Sequence, residues 1–292
     1  MKKNPGIEDI RGEFPFEQHF LNMGKYRMCY LDEGSGPVLI MLHACPMWSF
    51  FYRNLVKAFS PYFRVIVPDE IGYGFSDKPK NYDYRLETQI DNLERLVNHL
   101  KLDKVSFLMH GWGATIGTGY TIRHPDKVDR IIVMNSMAFS GYKLPWRLQI
   151  CKNFPWLGKL LLADFNLMFH GLGKYSPEIQ LGYKLPYLKA DDRVAIIRFI
   201  YDVPMVPDDH SCESVIEVEH GLWMLREHKM CIIWAVKDWL YPEKYLRKWM
   251  SFCPDAKVHR IRSSGRFISE DSLEELKLII SAFLEVPLNE TK

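Results

Sequence analysis

The sequence predicts an α/β fold, a mostly parallel doubly wound sheet with an inserted helical cap, and three observations predict it. Six short apolar and β-branched runs have the length of buried strands: Val38 to Leu42, Arg64 to Val67, Val105 to Met109, Arg130 to Met134, Cys231 to Val236 and Lys257 to Ile261. Stretches with helical spacing of apolar residues alternate with them. From about residue 139 to 228 that alternation gives way to a Trp-, Phe-, Leu- and Met-rich interval broken by six prolines, which reads as the cap.

Taken in chain order, the N-terminal segment from Phe16 to Leu31 reads as an antiparallel hairpin ahead of the first of these strands. Read as buried strands, the runs need cover on both faces, and that favours parallel pairing with helices on either side. Phe50 to Phe59, Leu86 to Leu100, Thr115 to Arg123 and Leu273 to Leu284 supply such helices. Residues 1–138 and 229–292 then form the core and 139–228 the cap. Ligands in open α/β sheets sit beyond the carboxyl ends of the strands, so a cap there closes a pocket.

Composition narrows the partners. The 38 Lys and Arg nearly balance the 36 Asp and Glu, which argues against nucleic acid and for a small molecule. The six cysteines are scattered without a CxxC pair or a zinc-type His spacing, so no metal or other cofactor is expected and reduced thiols fit a cytoplasmic protein. The start, MKKNPGIEDIRGEF, has two lysines but no apolar stretch after them, and no run of about 18 apolar residues suggests a membrane span.

The chemistry-bearing pattern begins where Val105 to Met109 runs into His110-Gly111-Trp112-Gly113-Ala114 and a helix. This is the layout of a nucleophile elbow, a tight strand-to-helix turn flanked by small residues so that backbone approaches closely. Asp238 follows the next-to-last strand and Gly265-Arg266-Phe267 the last, in the order nucleophile, acid, base. The stretches LHACPMWSFFYRNLVKAF, VIVPDEIGYGFSDKP and HGWGATIGTGYTIRHPDKVDRIIVMNS resemble haloalkane dehalogenases. PWRLQICKNFPWLG, RVAIIRFIYDVP and HGLWMLREHKMCIIWAVKDW are still more similar to the β-lactone decarboxylases of bacterial olefin biosynthesis. The resemblance covers nearly the whole chain and implies the α/β-hydrolase fold.

In the family so resembled, an elbow Asp attacks carbon, a His activates water, and an acid orients the His. Position by position this puts the nucleophile at Gly111, the base at Arg266 and the acid at Asp238. Glycine makes no covalent intermediate and arginine stays protonated, so the triad is degenerate and family-type hydrolysis is expected to be absent. The chain is then a pseudoenzyme that keeps the pocket. The alternative is an enzyme acting without a covalent intermediate on a small or lipid-like lactone, epoxide, halide or ester.

The resemblance also implies Trp112 as an indole donor toward developing charge, although the residue serves equally as pocket floor. Cys45 stands where relatives usually carry Asn, a halide or oxyanion holder, and a thiol donates weakly. His43 is expected to be packed and hydrogen-bonded, and strand alternation turns His110 away from the elbow. Asp69 reads as a loop anchor, while Glu70 replaces an apolar residue and is a candidate acid or base. Arg266 is expected to pair with Asp238, or to hold the head of a long-chain carboxylate beneath the cap residues Trp146, Phe154, Trp156, Phe165, Phe169 and Trp223, each of which also suits plain packing. A homo-oligomer or an active relative is a further expected partner.

Overall fold

The structure is a computed structural model that describes residues 5–154, 156 and 169–287 of the 292. Its eight strands are β1 (His19–Asn22), β2 (Arg27–Glu33), β3 (Val38–Leu42), β4 (Arg64–Pro68), β5 (Val105–Gly111), β6 (Val128–Ser136), β7 (Lys229–Ala235) and β8 (Lys257–Ile261). They form one sheet in the order β1-β2-β4-β3-β5-β6-β7-β8. β1, β2 and β4 pair antiparallel, and every other pair is parallel.

Every residue of β5 is buried, Ser106 and His110 included, as a central strand requires when helices cover both sheet faces. Helices Leu86–His99 and Trp112–Arg123 pack together, and Arg53–Phe59 packs on Leu273–Leu284. Asn135, at the end of β6, donates to the Ala235 carbonyl at 2.9 Å and accepts the Ala235 N–H at 2.6 Å. That pair of bonds ties down the end of β7, from which the chain runs to Asp238.

Several bounds differ from those predicted. The stretch at Phe50 begins as a 3-10 turn, Ser49–Tyr52, and β6 extends two residues further at each end. The helix after β5 starts at Trp112, because tertiary packing overrides the low helix propensity of Gly113, Gly117 and Gly119. Helix Glu243–Phe252 was not anticipated, although Tyr245, Leu246 and Trp249 give it an apolar stripe. Between β6 and β7 lie helices Trp146–Asn153, Pro177–Lys184, Val194–Asp202 and Cys212–Gly221. None of the described helices is long and apolar enough to cross a membrane.

Candidate active site

Gly111 is the last residue of β5 and the N-cap of the following helix, with φ +56° and ψ −124°. A chain that leaves a strand and enters a helix within one residue needs this conformation, which side chains rarely adopt. Gly113 makes the turn possible from beneath, since a Cβ there would lie 2.5 Å from the Leu42 carbonyl oxygen of β3. At Gly111 itself a Cβ would meet the Ala44 Cβ at 2.5 Å and the Tyr241 hydroxyl at 3.2 Å. The space where an elbow side chain would start is therefore occupied from two sides.

The expected Asp238–Arg266 ion pair does not form. Asp238 Oδ1 accepts the Leu240 N–H at 2.8 Å, and Oδ2 is buried with no described partner. The guanidinium reaches past it, Nη2 donating to the Cys45 carbonyl at 2.8 Å, while Nε is buried without a partner. A guanidinium carries five donors on a long stem, and here one of them goes to the loop after β3 in place of the carboxylate. The charges still feel each other: burial raises the Asp238 pKa and Arg266 pulls against that rise.

Arg266, Cys45, Trp112 and Tyr241 face one cavity of about 40 Å³. Its walls are apolar and come mainly from the segment between β6 and β7, with Leu148, Ile196, Phe199 and Val203 among them. The Trp112 indole is not free to meet a ligand's charge, because its N–H donates to Gln89 Oε1 at 2.8 Å. Edge-on to Phe199, the ring serves as cavity floor. Burial pushes the Cys45 thiol up to about 12, against the opposing effects of Tyr73 and Arg266, so it is no thiolate at neutral pH.

Other candidates fall elsewhere. His43 is not on this cavity: its Nδ1 lies 3.1 Å from the Ala44 carbonyl, Nε2 accepts the Glu70 N–H at 3.1 Å, and burial lowers its pKa to about 4. Glu70 is likewise off the cavity and buried, with neither carboxyl oxygen partnered among the described residues. Burial first, then the Asp69 charge, pushes it to about 8. Asp69 accepts from the Ser49 and Phe75 N–H groups and anchors that loop. His110 is buried and stacked on Phe51 at 4.7 Å.

Phe169 is packed beside Tyr183 and Tyr187 rather than on the cavity, and Trp223 is exposed on the turn Leu222–Glu227. Both depart from the pocket roles expected of them: Phe169, in a turn, is taken up by packing on Tyr183 and Tyr187, and Trp223 lies on the outward face of its 3-10 helix. Trp146 lines a separate, more open recess with His170, which adjoins the cavity through the shared residues Leu148 and Trp239. Phe154 and Trp156 are exposed, and Phe165 lies outside the described residues.

Sequence reasoning missed three residues of the site. Tyr241 shares the post-β7 loop with Asp238, and Ala44 precedes Cys45, so proximity to named positions was the available signal. For Gln89, on a different helix, there was none.

The profile of the family described as alpha/beta hydrolase fold matches residues 37–273. The chain is 34% identical over 284 residues to a cis-3-alkyl-4-alkyloxetan-2-one decarboxylase of Shewanella oneidensis, covering 92% of this chain and 89% of that protein. It is 28% identical over 278 residues to a haloalkane dehalogenase of Mycobacterium marinum, covering 90% and 92%. Among solved structures, the haloalkane dehalogenase DatA from Agrobacterium tumefaciens C58 superposes with a TM-score of 0.81 at 19% identity, covering 92% and 96%.

Proposed function

The chain belongs to the α/β-hydrolase fold family as a haloalkane dehalogenase-like member, and we propose that its site holds an apolar small molecule without forming a covalent bond to it. The observation that carries this reading is the elbow: Gly111 offers no attacking atom, and the space beside it is taken by Ala44 and Tyr241. Arg266 at the base position stays protonated and cannot activate water. Cys45, the other nucleophilic atom on the cavity, is held as a thiol by burial. Loss of a nucleophile or base removes several powers of ten in rate, so the reading is of a pseudoenzyme. A fixed cation within apolar walls suits a ligand with a greasy tail and a polar head.

The test incubates the purified protein with a 1-bromoalkane and with a cis-3,4-dialkyl oxetan-2-one, the substrate type in the Shewanella protein's name. Halide and carbon dioxide are measured, and the untreated protein is weighed by native mass spectrometry. No turnover, with a non-covalent mass adduct, is expected; steady turnover would overturn the reading. A second reading, turnover without a covalent intermediate, is favoured by one observation. The Tyr241 hydroxyl faces the cavity region with no hydrogen bond to any described residue, a donor available to a leaving oxygen. It requires activity in the parent protein that Tyr241→Phe abolishes.

A further inference from the structure

We propose that Tyr241 and Arg266 together form a two-donor clamp for the carboxylate of an alkyl acid, the phenol standing beside the point where the side chain of residue 111 would begin. This rests on the non-covalent reading above and names the ligand class and the second anchor. Three distances place the two donors around one short piece of backbone. The Cβ position at Gly111 lies 3.2 Å from the Tyr241 hydroxyl and 3.3 Å from the Ala44 Cα. Arg266 Nη2 sits 2.8 Å from the carbonyl oxygen of the next residue, Cys45. Phenol and guanidinium thus converge on the Ala44–Cys45 backbone from the same cavity, which both residues line.

Both side chains are more than nine-tenths buried and under-used. Tyr241 is 5% exposed and its hydroxyl bonds to no described residue; Arg266 is 8% exposed, and of its five donors one Nη2 proton is engaged. Arg266 Nε is a buried donor left unpaired, which is costly, and an acceptor arriving with the ligand satisfies it. The Cys45 carbonyl fixes the guanidinium plane in advance, which lowers the ordering cost of a forked contact.

The chemistry selects the head group. Burial drives the Tyr241 phenol above its usual range, against the pull of Arg266, so it enters the site as an O–H donor and not as a phenolate. Arg266 is the one cationic side chain among the described lining residues, and Asp238 offsets part of its field from behind, which suits a singly charged head. The 40 Å³ cavity takes the head and the first carbons, and the rest of the tail runs past Leu148 and Trp239 into the adjoining recess of about 380 Å³ lined by Trp146 and His170. A doubly charged phosphate would find too little positive charge, and a neutral alcohol would use the phenol but gain nothing from the guanidinium.

Sodium decanoate and 1-decanol serve as probes, titrated by calorimetry into the parent protein, Tyr241→Phe and Arg266→Gln. The parent is expected to bind decanoate at least about 10-fold more tightly than decanol. Tyr241→Phe should weaken decanoate about 10-fold and Arg266→Gln about 10- to 100-fold, with decanol changing less than about 3-fold in each. Equal affinity of the parent for the two probes overturns the clamp and leaves the apolar pocket standing. Binding of neither overturns both. Parallel loss of both probes in Tyr241→Phe with an unchanged circular dichroism spectrum also overturns it, because the ring would then only shape the cavity. Should Arg266→Gln fail to fold, the Tyr241→Phe ratio decides.

Discussion

Placing a methyl group on Gly111 tests the reconstruction of the elbow directly. In Gly111→Ala the new Cβ would stand 2.5 Å from the Ala44 Cβ, whereas packed carbons sit at about 3.5 to 4.0 Å, so one of them must move by about 1 Å. Overpacking of this kind costs about 1 to 3 kcal/mol. The backbone adds its own penalty, since φ +56° with ψ −124° lies in a region that costs other residues about 1 to 3 kcal/mol. Together the variant should lose roughly 2 to 6 kcal/mol, or about 3 to 10 °C in thermal midpoint for a chain of this size. Ala44→Gly in the same background removes the steric part and leaves the backbone part, so a double-mutant cycle should return about 1 to 3 kcal/mol of coupling. Urea titration followed by tryptophan fluorescence reads all four proteins. Gly111→Ala within about 0.5 kcal/mol of the parent, or a cycle with no coupling, would refute the reasoning. The same contact bears on any attempt to rebuild an enzyme: Gly111→Asp with Arg266→His should stay inactive in halide release until Ala44→Gly is added.

Glu70 is protonated in the fold up to about pH 8 but ionises near its ordinary 4.5 when unfolded. The native state therefore holds the extra proton between those values, and stability falls as pH rises across that window, by on the order of 4 kcal/mol. Glu70→Gln should flatten thermal midpoints measured from pH 5 to 9, and parallel curves for parent and variant would sink the idea. Cys45, pushed up to about 12, should react with iodoacetamide at pH 7.5 more slowly than free cysteine by at least about 10-fold; peptide mapping that finds it alkylated first would contradict its burial. Arg53, 1% exposed in its side chain, donates from Nη2 to Glu270 at 2.9 Å, four residues beyond Arg266. Glu270→Gln should cost about 3 kcal/mol in a urea titration by leaving a buried guanidinium short of its main partner, and a loss below about 1 kcal/mol would show that Glu13 suffices.

What was legible in the sequence depended on which physical signal each feature leaves in one dimension. A strand buried on both faces has no polar alternation, so β3 and β5 stood out, and strand ends then marked Gly111, Asp238 and Arg266, of which Arg266 lines the cavity. Helix Glu243–Phe252 left a readable stripe that was overlooked, whereas the glycine-rich start of Trp112–Arg123 left none, because its conformation is imposed by the approach of Gly113 to the Leu42 carbonyl. Side-chain reach leaves no sequence signal either, and that is why Arg266 was paired with Asp238 when its nitrogen goes to Cys45. The same limit hid Ala44 and Tyr241. Read alone, Gly111 is a position without a side chain that one substitution would fill. In three dimensions a methyl and a hydroxyl stand within 2.5 and 3.2 Å of where its side chain would begin, so the absence at one position is coupled to presences at two others. A side chain at residue 111 therefore needs room made at Ala44 as well, so one substitution at Gly111 does not by itself supply an elbow side chain.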